Sequence, residues 1–427
     1  MKSLEKEMYN LCKELFPINR SLTGEGVRET LGIIKSHLPE LKISEVPSGT
    51  KCFDWDVPQE WKIRKAYIID PEGKKIADFK KNNLHIVGYS EPVDCVMSLE
   101  ELNSKLHSIP EQPNAIPYYT SYYKKDWGFC ITDNERKNLK EGDYKIFIDS
   151  EFFNGCMNYG EILIPGETDE EIFLSTYICH PSMANNELSG PVVSTFLAKH
   201  IQSIKSRRLS YRLIFVPETI GAIAYLSKNL EIMKKNIIAG YQLTCVGDNN
   251  NFSFLPSRDN NTLADISARH VLRYLKIDYD EYSFLTRGSD ERQYCYPGID
   301  LPVCSIMRSK YGNYDEYHTS LDNMEFISEE GLRGAYDVYK MVINSLEMNL
   351  IYKNNSLCEP QLGKRGLYPH LSNLDVSEDI KNILNFLTYC DGETDFLRIA
   401  EKIQCPIWKL DKIVSPLIEH ELISVSG

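Results

Sequence analysis

The run YRLIFVP, residues 211–217, constrains this chain more than any other stretch. It is apolar almost without interruption and shows no alternation, which is the pattern of a strand covered on both faces. IIAGYQLTCVG (237–247) and LPVCSIMR (301–308) repeat it. Helical patterns stand between and around these runs: SGPVVSTFLAKHIQSI, GAIAYLSKNLEIM, TLADISARHVLRYL and SEEGLRGAYDVYKMVINSLE. Strands alternating with helices define an α/β domain with a mainly parallel central sheet. Further strand signals, YKIFIDS, YGEILIPG and EIFLSTYIC, precede them, and the turn GETDEE predicts a hairpin from the last two.

The remaining texture divides the chain. Residues 3–16 carry apolar side chains at helical spacing. Pro17 ends that helix, and Ser21 or Thr23 is placed to cap a second one starting near Gly24. From 49 to 142 short strand-like pieces are broken by Gly, Pro and Asn, and AIPYYTSYYKKDWGFCIT is dense in tyrosine, so this stretch reads as an inserted β-rich domain. The α/β domain is then discontinuous, 1–48 with 143–352. A polar, turn-rich stretch follows, and 356–427 holds three helical patterns with a break at Cys405-Pro406, like a winged-helix module.

Composition narrows the class. Of 427 residues, 42 % are hydrophobic and 26 % charged, as in ordinary globular proteins. No run of about 18 apolar residues suggests a membrane span. The N-terminus lacks the apolar core of an export signal, so a cytoplasmic location is expected. Twelve cysteines without a CxxC pair argue against a zinc ribbon or a disulfide framework. A net charge of −13 makes a nucleic-acid partner unlikely, and on the last helix Asp411 and Glu419 oppose Lys409 and Lys412. The tail is therefore expected to serve a protein partner or a homo-oligomer.

In open α/β sheets, chemistry gathers at the carboxyl ends of strands. Three polar clusters fall there: YICHPSMANNELSG with His180, IFVPETIGAIAYL with Glu218, and YDEYHTSLDN with His318. Two imidazoles able to hold an ion, with an acid to move a proton, make up a hydrolytic zinc site. Each residue alone has an ordinary reading: a satisfied core histidine, a helix cap, a loop histidine held by Asp315 or Asp322. Their joint order is harder to explain in that way.

That order resembles the zinc aminopeptidase superfamily. FPINRSLTGEGVRETL, FDWDVPQEW, CHPSMAN…LSG, GSDERQYCYPGIDLPV, YGNYDEYHTSLDN and CEPQLGKRGLY resemble one prokaryotic branch of aminopeptidase-like proteins with an inserted domain and a C-terminal winged helix. The resemblance implies His180 and His318 as metal ligands and Glu218 as general base. It also implies that Asn186 stands where a bridging aspartate is usual, Thr219 where a metal-binding glutamate is usual, and Thr244 where another aspartate is usual. One zinc ion rather than two is then expected, with Asn186 or Glu187 as third ligand; failing both, Glu218 or Asp290 would complete the shell. Asp290, Glu291 and Arg292, with Tyr317 and Arg20, are the candidates for contacting substrate, either a small peptide or an amide-bearing sugar. Asp290–Arg292 could equally be a structural ion-pair cluster. Tyr118, Tyr119, Tyr122 and Tyr123 are read as half-buried sheet residues, with a stacking face for sugar or peptide as the alternative.

Overall fold

The structure is a computed structural model that describes residues 3–367 and 378–426, apart from the side chain of Asp379. The chain forms two compact units, Met1–Asn260 with Asp280–Tyr336, and Asn261–Tyr279 with Asp337–Gly427. The polar stretch expected between domains lies partly outside the described residues, at 368–377.

The first unit is built on an eight-stranded sheet. Its order is Lys42–Pro47, Cys156–Ile164, Ser210–Val216, Glu171–Tyr177, Ile237–Gln242, Val303–Met307, Phe252–Leu255, with Tyr279–Glu281 at the edge. Ser210–Val216, Glu171–Tyr177, Ile237–Gln242 and Val303–Met307 run parallel, while Lys42–Pro47 with Cys156–Ile164, Cys156–Ile164 with Ser210–Val216, and Phe252–Leu255 with Val303–Met307 pair antiparallel. The parallel character read from the apolar runs is thus a property of the centre. Every residue of Glu171–Tyr177 and Val303–Met307 is buried, as two-sided coverage requires.

The expected hairpin does not form. Cys156–Ile164 and Glu171–Tyr177 are separated by Ser210–Val216, antiparallel to the first and parallel to the second. Arg212 gives the physical reason. Its side chain, 4 % exposed, reaches both neighbouring strands. Nε donates to Glu171 Oε2 at 2.6 Å and Nη2 to Glu171 Oε1 at 2.9 Å, while Nη1 donates to Glu161 at 2.9 Å and to the Tyr225 hydroxyl at 2.7 Å. A hairpin would bring two acid-bearing strands together with no cation between them.

The insert differs from expectation at its far boundary. Its sheet runs Lys75–Ile76, Glu60–Ile69, Asp143–Phe153, Val93–Ser98, antiparallel throughout. Asp143–Phe153, which we assigned to the α/β domain, pairs along Glu60–Ile69 and belongs with the insert's strands. Its side chains alternate between buried and more exposed positions over most of its length, which marks a sheet with one face covered. The buried faces merge with the main core: Trp61, Tyr144 and Ile146 share one apolar cluster with Tyr159, Phe173 and Tyr294.

The second helix, Glu25–His37, starts at Gly24 with no side-chain cap. Thr23 is engaged elsewhere, accepting the Trp61 amide at 3.2 Å and sharing a 2.7 Å hydrogen bond with the Tyr89 hydroxyl. Tertiary contact to the insert has outcompeted local capping.

In the second unit the expected helices lie at Glu378–Tyr389, Phe396–Lys402 and Ile407–Glu419. The wing is a sheet in the order Asp391–Asp395, Ile351–Asn354, Ile423–Val425. Ile351–Asn354 straddles the expected end of the α/β domain at 352, yet it pairs here with both of the other strands. The helix Leu263–Tyr274, expected in the α/β domain, also falls in this unit, where buried His270 pairs with Glu401 at 2.7 Å and accepts the Ile407 amide at 3.0 Å.

The clamp in the main sheet is testable. Arg212→Ala strands two acids at a buried site, and we expect it to destabilise the first unit by about 3–5 kcal/mol, read as a lowered midpoint in chemical denaturation.

Candidate functional site

The strand Glu171–Tyr177 delivers Ile178, Cys179 and His180 to the carboxyl end of the sheet. The chain then turns through Ser182, with a left-handed φ of +45°, into a single π-helical turn, Ala184–Leu188, and on into the helix Ser189–Ser203. The wide turn points Asn185, Asn186 and Glu187 all inward, and each is at most 1 % exposed. Each has a separate task. Asn185 Oδ1 accepts the amides of Gly247 and Asp248, and its Nδ2 donates to Asp248 Oδ2. Asn186 Nδ2 donates to the Tyr177 hydroxyl at 2.6 Å, leaving Asn186 Oδ1 buried without a partner. Glu187 Oε2 shares a 2.7 Å hydrogen bond with His180 Nδ1.

Glu218 follows the strand Ser210–Val216 through Pro217. Its Oε2 lies 3.5 Å from His180 Nε2. Thr219 takes a left-handed φ of +66°, and its amide donates to Asp290 Oδ1 at 2.7 Å. His318, with φ of +55°, comes from a third loop. Tyr317 stacks on its ring with centroids 4.0 Å apart. The rings of His180 and His318 lie 5.4 Å apart, centre to centre. An ion bound at ordinary zinc–nitrogen distances in a tetrahedral shell would hold two imidazole centres about 5 Å apart, so the two rings are within reach of one ion.

Asp322, four positions beyond His318, joins the loops. Its Oδ1 accepts the amides of Ala184 and Asn185, and its Oδ2 accepts that of Asn186. Our reading had Asp322 only as a possible partner of His318; its actual partners are the backbone amides of the other histidine's turn.

His180, His318, Glu218, Thr219 and Arg292 line one cavity of about 520 Å³. Its other wall is aromatic: Trp55, Tyr118, Tyr119, Tyr122 and Tyr123, all from the insert. Residues 118, 119, 122 and 123 lie outside any strand, so the sheet reading for these tyrosines is corrected. Sheet-like spacing is not needed because loop backbone carries them. Tyr118 lies edge-on to both imidazoles, with centroids 5.1 Å from His180 and 5.2 Å from His318. The Tyr118 amide donates to His318 O at 2.8 Å, and its hydroxyl bonds that of Tyr122 at 3.0 Å. Only tyrosine density in the sequence signalled this wall.

The other candidates scatter. Glu291 Oε1 accepts the Gly288 and Ser289 amides and the Tyr311 hydroxyl, a loop-closing role away from the cavity. Asp290 is fully buried behind Thr219. Arg292 alone of this trio lines the cavity; its Nη2 donates to Thr219 Oγ1 at 2.6 Å and its buried Nε has no partner. Arg20 lies outside the cavity lining, donating Nε to His180 O at 3.0 Å and lying 3.7 Å from Glu187. Tyr317 is likewise outside the lining and packs behind His318. Arg20 and Tyr317 thus contact the two histidines from outside this cavity's lining.

Burial dominates the electrostatics. It lowers the pKa of His180 and of His318 to about 3, with the Arg20 charge adding to the effect on His180 and His180 adding to that on His318. Both rings are neutral, as metal ligation requires. Burial raises Glu187 to about 8, Asp290 to about 7 and Asp322 to about 7. It also raises Glu218, with Asp290 reinforcing the shift. Such a concentration of buried acids is short of positive charge.

That deficit, the neutral rings and the unpartnered Asn186 oxygen fit a cation held between His180 and His318. Among the described residues, the one group of three histidine, cysteine or acid side chains whose ligand atoms all lie within 4.8 Å of one another is Cys179, His180 and Glu187. This grouping is already satisfied internally: the Cys179 thiol, its pKa raised by burial, accepts the Glu218 amide, and Glu187 bonds His180 Nδ1. The other ring nitrogen, His180 Nε2, lies 3.5 Å from Glu218 Oε2.

Fold and site together describe a protein of zinc-aminopeptidase architecture. The zinc aminopeptidase of Bacillus subtilis superposes with a TM-score of 0.60 at 12 % identity, covering 80 % of this chain and 95 % of that one. A peptidase M28 precursor from Shewanella amazonensis gives 0.58 at 14 %, covering 82 % and 94 %. The chain belongs to the family described as a domain of unknown function, DUF4910, whose model matches residues 9–349, and a winged helix-turn-helix model matches 350–425. It is 46 % identical over 421 residues, 98 % of this chain and 96 % of the other, to a Clostridium acetobutylicum protein called "Putative polysaccharide biosynthesis protein with aminopeptidase-like domain". The crystal structure of a "putative peptidase" from the same organism matches with a TM-score of 0.92 at 44 % identity, covering 99 % and 96 %.

The charge states give a pH prediction. With both folded-state values near 3 and an ordinary histidine near 6.5, neither ring takes up a proton between about pH 8 and pH 5. The native chain then binds fewer protons than the unfolded one, so these two groups withdraw stability as pH falls from about 6.5 towards about 3. Histidine NMR titration of the metal-free protein checks this directly: an imidazole at either position titrating near pH 6.5 would contradict it.

Proposed function

We propose that the cavity is the active centre of a metal-dependent hydrolase of aminopeptidase type that cleaves a small amide. The observation that carries this reading is the convergence of two neutral imidazoles, with Glu218 3.5 Å from His180 Nε2. His180 and His318 would hold one zinc ion, with Asn186 Oδ1 as a weak third donor. Zinc at such a site polarises a carbonyl and makes water more acidic.

The chain's own residues supply the rest. Glu187 orients the His180 ring and fixes which nitrogen is free, which is what a carboxylate behind a ligating histidine does. Glu218, its carboxyl pushed above the ordinary range, takes a proton from water and returns it to the leaving nitrogen. Arg292, which lines the cavity, offers its positive charge to a carboxylate or other anionic group on the substrate. The tyrosine wall shields the reacting amide from bulk water and offers flat faces to a sugar ring or peptide. The relative's name favours an N-acyl sugar over an N-terminal aminoacyl group. In this reading the protein acts in the cytoplasm, and its acidic chain uses the winged unit for a protein partner or a second copy, a net charge of −13 disfavouring nucleic acid.

One observation favours a silent relative instead. Asn186 and Thr244 stand at positions where the resemblance implies acids, and Tyr177 ties them into a neutral triad, its hydroxyl 2.5 Å from Thr244 Oγ1 and 2.6 Å from Asn186 Nδ2. A second ion has no charged donors there, and the first has a weakened shell.

Metal analysis with amidase assays separates the two. The hydrolase binds zinc stoichiometrically and loses it on His180→Ala. Glu218→Gln keeps the zinc while turnover falls about 100- to 10,000-fold. A protein that takes up no zinc and turns over no amide is the binder. Among zinc-binding variants, Glu187→Gln lowers affinity about 10- to 100-fold, and Asn186→Asp raises it, both measured by competition with a chelator.

A further inference from the structure

Beside the reaction cavity lies a second concavity of about 470 Å³, lined mainly by apolar side chains. One wall is the helix Ile220–Asn236. Ile220 faces the reaction cavity, and Ile223, Leu226 and Leu230 continue along the helix into the trough. Their spacing puts them on one helical stripe. Another wall is formed by Tyr296 and Ile299, a few residues beyond Arg292. Trp55 lines both cavities, so the two adjoin across its indole.

The insert supplies this rim at some local strain. Strands Lys51–Cys52 and Trp55–Asp56 form a tight hairpin with Phe53 and Asp54 at its turn. Phe53 has φ of +56°, a left-handed conformation that Gly and Asn adopt readily and an aromatic residue does not. The ring is nonetheless 51 % exposed, and Tyr296 at the same trough is 65 % exposed. Backbone strain that gains no burial is a recurring feature of ligand clamps.

We propose that this trough is a subsite for an aliphatic acyl group carried by the amide substrate, which passes over Trp55 and is covered by Phe53 and Tyr296. The assignment rests on reading the adjoining cavity as an amide site. It commits the substrate to an amphiphilic shape: polar and anionic at Arg292, apolar beyond Trp55.

The test uses N-acylglycines from N-acetyl to N-octanoyl, titrated calorimetrically into the full chain with and without zinc. Affinity should rise about fourfold for each added methylene until the trough is filled. Phe53→Asn and Tyr296→Ser, both at exposed positions, should flatten that rise. Phe53→Asn should also hold or raise the melting temperature, because it relieves the strained turn, and a purely structural role for Phe53 would move the two readings together. A flat series on the unaltered chain, or a rise that survives both substitutions, overturns the subsite. The same series on His180→Ala keeps the two readings apart. Chain-length dependence that persists on His180→Ala shows that the subsite works without the metal; if the unaltered chain takes up no zinc and turns over no amide while that dependence persists, the hydrolase reading falls and the subsite stands.

Discussion

The site depends on the carboxylate of Asp322. It sits four residues after His318 and accepts consecutive amides at Ala184, Asn185 and Asn186, with the Tyr314 hydroxyl as a further donor at 3.3 Å. Ala184 also donates to the Asp322 carbonyl at 2.9 Å. The first turn of a π-helical segment has no internal acceptors for these amides, and the segment is buried, so water cannot supply them. Each one left unpaired would cost about 1–3 kcal/mol. One side chain thus satisfies a turn that would otherwise not form and draws the His318 loop onto the His180 loop. The two imidazoles meet because of a hydrogen-bonding requirement of the backbone behind them.

The same neighbourhood stores strain. Ser182, Thr219, Cys245 and His318 all carry φ between +45° and +66°. Thr219 is the most unfavourable of these, since a β-branched side chain tolerates that region poorly. Its amide to Asp290 and its hydroxyl to Arg292 are the interactions that hold it. The consequence is directional: the reversal at Thr219 ends the run of Ser210–Val216 abruptly and leaves Glu218 facing His180. Strain in this protein fixes side-chain direction, which packing of the sheet alone could not do.

The sequence disclosed some of this and hid the rest for identifiable reasons. Near-continuous apolar runs at 211–217 and 301–308 mark the parallel centre, because two-sided burial leaves no regular alternation to disguise it. His180, Glu218 and His318 could be found as polar residues at the ends of such runs. The side-chain geometry of Asn186 and Glu187 could not, because a π-helical turn rotates successive residues differently from an α-helix, and only the folded turn shows that Glu187 stands behind His180. Arg212 within an apolar run looked like an interruption; it is the reason the strand lies between two acid-bearing neighbours. The alternation in Asp143–Phe153 fits the insert's one-faced sheet, but the strand lies next in sequence to those of the α/β domain, which hides its pairing with Glu60–Ile69. The wing strands Ile351–Asn354 and Ile423–Val425 are too short and too polar to announce themselves before their partners are known.

The insert's contribution to the pocket follows from where it leaves the sheet. Lys42–Pro47 and Cys156–Ile164 are adjacent antiparallel strands, and Pro47 is registered directly against Cys156. Everything between them departs and returns at one point on the sheet, so the excursion leaves the order of the central strands undisturbed. It is nevertheless anchored: Thr23 and the Trp61 amide bond at its base, and Tyr118 pairs with the His318 backbone at its tip. A module tied at both ends but independent of the sheet can vary its aromatic wall without moving the histidines. Its tip cannot shift freely, because the same Tyr118 whose ring faces both imidazoles is hydrogen-bonded to the backbone of one of them. The shape of the pocket and the alignment of its polar centre are therefore coupled through a single residue of the insert, so an insertion or deletion between Trp55 and Tyr123 acts on both at once.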